Sequence, residues 1–286
     1  MEFSEVIAGL REEYSHLRFI LVTSPSPRCG VTLMQRMINA GGQCVIYGEN
    51  MYFLYKVPSA TFGYGVEGFS KKVEITRDTA DRFFGGHRSM DASTLFPDYV
   101  RYVRENIRSF YRLVELYQEE SQMRGANCWG IKCPMFEPGC ARALLKLLPL
   151  PQMIIITRDL GAVARSWYAR WPNELKHPEA FRTLGYRWAA NKKFLDAIQG
   201  DQVLHINYEE WMKNPDMVAN SIEKTFGVRV AREEIERKIN LPDNDPKVQV
   251  AQRRKGGWYL PPQDLPPEAD EWLQQGVRRF LEQGST

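Results

Sequence analysis

The sequence lacks the marks of several broad protein classes. Its five cysteines are odd in number and include no C-x-x-C pair. Neither a disulfide framework nor a zinc site is therefore expected. No apolar run approaches the roughly 20 residues that a membrane-crossing helix needs. The opening stretch Met1-Glu2-Phe3-Ser4-Glu5 is acidic and has no apolar centre, unlike a signal peptide. A net charge of +3 is too slight to argue for nucleic acid or an anionic membrane. It leaves room for a local basic site that holds an anionic ligand. There are no internal repeats and no low-complexity tract. A reducing cytoplasm is the expected setting, and 286 residues suffice to bury one large α/β core or two small ones.

Two well-known phosphate signatures are missing as well. A nucleoside-triphosphatase loop would read G-x-x-x-x-G-K-[ST]. Here no lysine follows Gly30, and the first glycine is absent. A cysteine-dependent phosphatase loop needs an arginine six places after its cysteine. From Cys29 the nearest candidate is Arg36, seven places on. Cys29 is therefore not expected to be a nucleophile.

What is present near the start is Thr23-Ser24-Pro25-Ser26-Pro27-Arg28-Cys29-Gly30-Val31-Thr32-Leu33-Met34. The apolar run Phe19-Ile20-Leu21-Val22 before it reads as a strand. Apolar residues at Leu33, Met34, Met37 and Ile38 after it have helical spacing. A strand, a tight turn and a helix aim free N–H groups and a helix N-terminus at one point, a ready anion site. Arg28 adds a cationic fork, and Thr32 a hydroxyl.

The rest of the chain alternates in the same way. A leading helix is expected over residues 5–17 and a long amphipathic helix over 96–124, with further helices over 138–148, 160–168, 178–199, 215–226 and 231–239 and at the C-terminus. Strands are expected at 44–47, 129–132, 153–157 and 203–206. Residues 51–70 are rich in aromatics and glycine and could line an acceptor pocket. Residues 71–95 read as surface. Trp167, Trp171 and Trp188 read as core, and His87 and His205 as a surface and a strand-end residue, with His87 a spare base. Strands alternating with helices predict a doubly wound parallel sheet with ligands at the carboxyl ends of the strands. Those ends carry Arg28, Glu49, Lys132, Arg158 with Ser166, and Tyr208. Three cations at strand ends imply a ligand with more than one anionic group.

On these residues the chain resembles the sulfotransferases that use 3′-phosphoadenosine 5′-phosphosulfate. Their 5′-phosphosulfate loop is similar to Pro27-Arg28-Cys29-Gly30-Val31-Thr32-Leu33. Their 3′-phosphate motif is similar to Thr157-Arg158-Asp159 followed, eight residues after Arg158, by Ser166. Gly130-Ile131-Lys132-Cys133-Pro134 resembles their strand-end lysine. His205-Ile206-Asn207-Tyr208-Glu209 with Asn214-Pro215, and Arg254-Lys255-Gly256-Gly257-Trp258, resemble two later features. The five lie in the family's order between about 19 and 260. Cytosolic small-molecule members carry lysine where this chain has Arg28, and a histidine base where it has Pro134. An arginine in the loop with a glutamate about twenty residues on resembles the tyrosylprotein, heparan-type and bacterial branches, and Glu49 fits that base.

The resemblance implies one sulfotransferase domain over residues 1–286, with a three-layer, P-loop-like α/β fold. It implies that Arg28, Cys29, Gly30, Val31, Thr32 and Leu33 hold the donor's 5′ end. Arg158 and Ser166 would hold its 3′-phosphate with help from Arg254, Lys255 and Gly256, and Tyr208 would sit near the adenine. Glu49, Lys132 and Arg28 would be catalytic. The product would be adenosine 3′,5′-bisphosphate, and no metal is implied. The acceptor would be a small molecule, glycan or peptide, sulfated on oxygen or nitrogen. Two rivals stand beside this: a nucleotide-dependent kinase, which would need a Walker lysine and a magnesium carboxylate, and a non-catalytic nucleotide-binding module.

Overall fold

The computed structural model describes residues 3–17, 19–48, 99–134, 147, 152–235 and 264–283. The chain divides into two compact units. One comprises Met1–Arg18, Asn50–Glu120 and Glu137–Pro151; the other Phe19–Glu49, Ser121–Phe136 and Gln152–Thr286. In the first, α1 (Phe3–Glu13) and the long α3 (Tyr99–Met123, up to Glu120) are described. Ile107, Phe110, Tyr111 and Val114 form the buried stripe of α3, as the 3.6-residue period requires. Tyr14 stacks on Tyr111, centroids 4.3 Å apart, and the Tyr111 hydroxyl donates to the Leu147 carbonyl.

The second unit holds the sheet. Its strands are β1 (Phe19–Thr23), β2 (Cys44–Tyr47), β3 (Cys128–Cys133), β4 (Gln152–Thr157) and β5 (Val203–Asn207). They lie in the order β2-β3-β1-β4-β5, every neighbour parallel. β1 and β4 read BBBBB and BBBBBi in burial. Both faces are covered, which is why these strands are continuous apolar runs rather than alternating ones. Ile20, Val22, Ile154 and Ile156 share one cluster with Met34, Met37 and Ile38 of α2 (Val31–Ala40) and with Trp211, Ala219 and Ile222. Those three belong to α6 (Tyr208–Lys213) and α7 (Pro215–Phe226). The result is a P-loop-like α/β fold, a central parallel sheet flanked by helices.

A second cluster joins α4 (Leu160–Arg170), α5 (Pro178–Asp196) and α8 (Ala269–Gln283) around Leu160, Phe181, Leu184 and Leu273. α8 lies close along α5 because Gly276 has no side chain. A Cβ there would stand 2.0 Å from the Arg182 carbonyl oxygen.

Two expected elements differ. Tyr208 opens a short helix rather than ending a strand, because Asn207 caps it: Asn207 Oδ1 accepts from the Glu210 amide at 2.9 Å. The helix expected over 231–239 is a 3₁₀ turn, Arg232–Ile235, as far as it is described. It is tied to α2 by Arg36 Nη2 to Glu234 Oε2 at 2.6 Å. The helix expected over 138–148 lies outside the described residues apart from Leu147. Among the described residues, no helix is long and apolar enough to cross a membrane.

The topology fixes where a ligand can sit. From β1 the chain runs through α2 to one edge of the sheet, and from β4 through α4 and α5 to the other. The carboxyl ends of the adjacent strands β1 and β4 therefore flank a switch point, where open α/β sheets bind ligands.

Candidate active site

The loop after β1 is shaped by its own hydrogen bonds. Ser24 Oγ lies 2.7 Å from the Ser26 carbonyl and 2.9 Å from that of Pro134. Its proton is shared between the loop and the end of β3. Asn191 on α5 donates to the Pro25 carbonyl at 2.9 Å. The chain then curls through two residues with positive φ, Arg28 at 76° and Gly30 at 100°. For Gly30 this costs little; for Arg28 it is strain that the surroundings must hold. Gly30 is the N-cap of α2, and no side chain caps it. The first N–H groups of the helix thus face the loop without a side-chain acceptor.

Three other strand ends meet this loop. At the end of β4, Arg158 donates through Nη1 to the Arg28 carbonyl at 2.9 Å. Arg28 in turn donates through Nε to Ser166 Oγ at 3.1 Å. The two guanidinium-bearing residues thus share one cleft, with Ser166 on α4 beside them. From β3, Lys132 Nζ donates to Thr32 Oγ1 at 3.1 Å. From the end of β5, the Tyr208 ring lies against Gly30, where a Cβ would come within 2.6 Å of Cδ2. The Arg158 guanidinium stands over that ring, 4.4 Å from its centroid. The loop after β1 can approach the tyrosine this closely only because residue 30 is glycine.

Cations predominate in the cleft among the described residues. Arg28, though exposed as a residue, has its pKa lowered by partial burial and then by the charges of Arg170 and Arg158. Arg158 Nε is buried without a hydrogen-bond partner, and its nearest counter-charge is Glu209 Oε1 at 4.0 Å. Burial pushes the Cys29 thiol up to about 11. At neutral pH it is protonated and no nucleophile. Asp159 points the other way, capping α4 through the Ala162 amide at 2.8 Å. Among the described residues no three His, Cys, Asp or Glu side chains gather as metal ligands would. A site of this kind, with converging guanidinium and ammonium groups and an uncapped helix start, can hold two anionic groups of one ligand.

Of the residues singled out in the sequence, the structure therefore brings together Arg28, Cys29, Gly30, Val31, Thr32, Leu33, Lys132, Arg158, Ser166 and Tyr208. Glu49, Arg254, Lys255 and Gly256 lie outside the described residues, as do His87 and the aromatic stretch 51–70. The expectation that Trp171 is core is corrected. It is 38% exposed, and the guanidinium groups of Arg28 and Arg170 stand 5.6 and 5.8 Å from its ring. Helix α4 ends at Arg170, so Trp171 is displayed at the exit of the helix that carries Ser166. Sequence spacing did not reveal it, because a tryptophan just past a helix end has no periodicity to read. A cavity of about 260 Å³ borders the same loop, with Pro25, Ser26, Trp167, Leu175, Ala180 and Leu184 in its lining.

Comparison with known proteins places the chain in a family. The model of the Sulfotransferase family matches residues 22–232, from inside β1 to the 3₁₀ turn. No curated protein matches significantly. Among solved structures the chain is similar to the sulfotransferase domain of the Synechococcus PCC 7002 olefin synthase. Identity is 16%, coverage 94% of each chain and TM-score 0.47. It is also similar to a sulfotransferase from Alicyclobacillus acidocaldarius, at 17% identity, 93% and 95% coverage and TM-score 0.45. Since the family model spans most of the chain, including the β1 loop, Lys132, Arg158, Ser166 and Tyr208, this protein belongs to the Sulfotransferase family.

Proposed function

We propose that the chain, acting as one domain in the cytoplasm, transfers a sulfuryl group from 3′-phosphoadenosine 5′-phosphosulfate to a hydroxyl or amine of a small-molecule acceptor. The observation that carries this is the shared cleft of Arg28 and Arg158, joined through the Arg28 carbonyl and flanked by Ser166. Two cationic anchors at the ends of β1 and β4 fit a nucleotide with anionic groups at both its 3′ and 5′ positions. The orphaned Arg158 Nε and the uncapped start of α2 offer donors that such a ligand would satisfy.

In this proposal Arg158 and Ser166 hold the 3′-phosphate, with Arg254, Lys255 and Gly256 as further contacts. The backbone of residues 28–33 cradles the 5′ end, and Tyr208 lies near the adenine. The donor supplies an activated sulfuryl group. Arg28 and Lys132 stabilise the charge that grows on the bridging oxygen as the nucleotide leaves, an interaction stronger in the transition state than in the ground state. Glu49, two residues beyond β2, takes the acceptor's proton. The cavity beside the loop supports an acceptor of modest size.

The test is to incubate the protein with labelled donor and a panel of hydroxyl and amine acceptors, following release of adenosine 3′,5′-bisphosphate. Label transfer to an acceptor is expected. Glu49→Gln should lower turnover about 10²–10⁴-fold while the bisphosphate still binds. Binding of the bisphosphate with no transfer to any acceptor would overturn the enzymatic part. Loss of binding together with turnover in Glu49→Gln would make Glu49 structural.

A further inference from the structure

At the opposite ends of the strands from this cleft, two cysteines face one another. Among the described residues β2 is an edge strand of the sheet, four residues long and paired only with β3. The pairing begins where the Asn127 and Cys128 amides donate to the Gln43 carbonyl, at 2.9 and 3.2 Å. At the first step of the register Cys44 stands beside Cys128. Residues in register on neighbouring strands project to the same face of a sheet. Strands spaced about 4.8 Å apart put their Cα atoms inside the roughly 4.4–6.8 Å range that a disulfide spans. The Cys128 thiol donates a weak bond to the Trp129 carbonyl at 3.5 Å. Both cysteines are reduced here. Cys44 is buried, whereas Cys128, packed against the same core cluster, is only partly so and is the more accessible residue of the pair.

We propose that Cys44 and Cys128 form a reversible disulfide that staples the edge strand β2 to β3. The oxidant is a small-molecule disulfide. The Cys128 thiolate attacks one of its sulfurs, forming a mixed disulfide and expelling one thiolate. The Cys44 sulfur, giving up its proton to solvent, then attacks Cys128 Sγ, and the second small thiol leaves. Two protein thiols are oxidised and one small disulfide is reduced to two thiols. The order follows from burial. The Cys44 thiol is held above its ordinary pKa by the neighbouring Cys128 side chain and by burial, so it reacts inside the pair rather than with reagent from solvent. The crosslink closes a long loop and restrains the unfolded chain. It leaves the carboxyl ends of the strands, and hence the cleft, in place. It does not depend on the sulfuryl-transfer proposal.

The experiment uses the full chain, titrated with oxidised glutathione, alkylated under denaturing conditions and digested. The expected result is loss of two of the five thiols and a peptide pair linking Cys44 to Cys128. The thermal midpoint should rise by several degrees, and all three changes should reverse with dithiothreitol. Cys44→Ala and Cys128→Ser should each abolish the midpoint rise. Peptide mapping of the unsubstituted protein needs neither variant to fold. Glutathione left on Cys128 as a mixed disulfide, a link between other cysteines, or a linked pair with no gain in midpoint would overturn the proposal.

Discussion

Cys29 sits between the two positive-φ residues of the loop and is fully buried. Its thiol is held at about 11, chiefly because burial penalises the thiolate, against an ordinary value near 9. In the unfolded chain it would release its proton about two pH units earlier. Between about pH 9 and pH 11 the unfolded state therefore binds fewer protons than the folded one, and stability falls as pH rises. The contribution is fully present below about pH 9 and is lost through about pH 11, at most on the order of 3 kcal/mol. Urea unfolding of the protein and of Cys29→Ser across this range should show a shallower alkaline loss in the variant. Parallel curves would remove Cys29 as the cause. Gly30 invites a second substitution. With φ at 100° and the Tyr208 ring 2.6 Å from where a Cβ would sit, Gly30→Ala must strain the loop and push the ring from under Arg158. A loss on the order of 1–3 kcal/mol is expected, with weaker binding of adenosine 3′,5′-bisphosphate in calorimetry. A variant that binds and unfolds like the parent would show that the ring moves at no cost.

Among the elements, the helix pair α5–α8 rests on contact that only glycine permits. Gly276→Ala would place a Cβ 2.0 Å from the Arg182 carbonyl and 2.9 Å from the Tyr186 amide. The helices must then part, and a cost of about 1–3 kcal/mol in denaturant unfolding is expected. An unchanged midpoint would mean the helices separate freely. No pattern in the sequence announces this contact, since a single glycine in an amphipathic helix carries no period. The sheet was far more legible. β4 is a continuous apolar run, Met153-Ile154-Ile155-Ile156, and the structure buries all of it. The β2 boundaries agree because Gly41-Gly42 and Gly48 punctuate them. Helix α6 was hidden because six residues hold too little periodicity, although Asn207 with Glu210 three places on is a capping signal. The cleft was legible in part. Arg28, Lys132, Arg158 and Tyr208 each follow a strand or lie near its end, and Ser166 lies on the helix that leaves β4, so their meeting follows from topology. Trp171 and Arg170 join them through the length of α4, which depends on where that helix stops.

Over the whole molecule the net charge is only +3, yet Arg28, Lys132, Arg158 and Arg170 belong to one end of the sheet. Gathering like charges opposes the folded state: the Arg28 guanidinium is held below its ordinary pKa first by burial and then by the charges of Arg170 and Arg158. Under the proposed function such an arrangement serves binding rather than stability. Removing one guanidinium should therefore separate the two. Without ligand, Arg28→Gln should unfold at the same temperature as the parent or slightly higher. With adenosine 3′,5′-bisphosphate at a hundredfold excess over its Kd, the parent gains about 2.7 kcal/mol. Its thermal midpoint should then rise by roughly 5 °C or more, while the variant at the same ligand concentration should gain little. Because the attraction is Coulombic and the cleft is open to solvent, the parent's gain should shrink as salt is raised from about 0.05 M towards 1 M, where the screening length falls to about 3 Å. If Arg28→Gln instead melts well below the parent without ligand, the guanidinium holds the loop rather than the nucleotide. A ligand-induced shift indifferent to salt would place the bisphosphate away from these cations altogether.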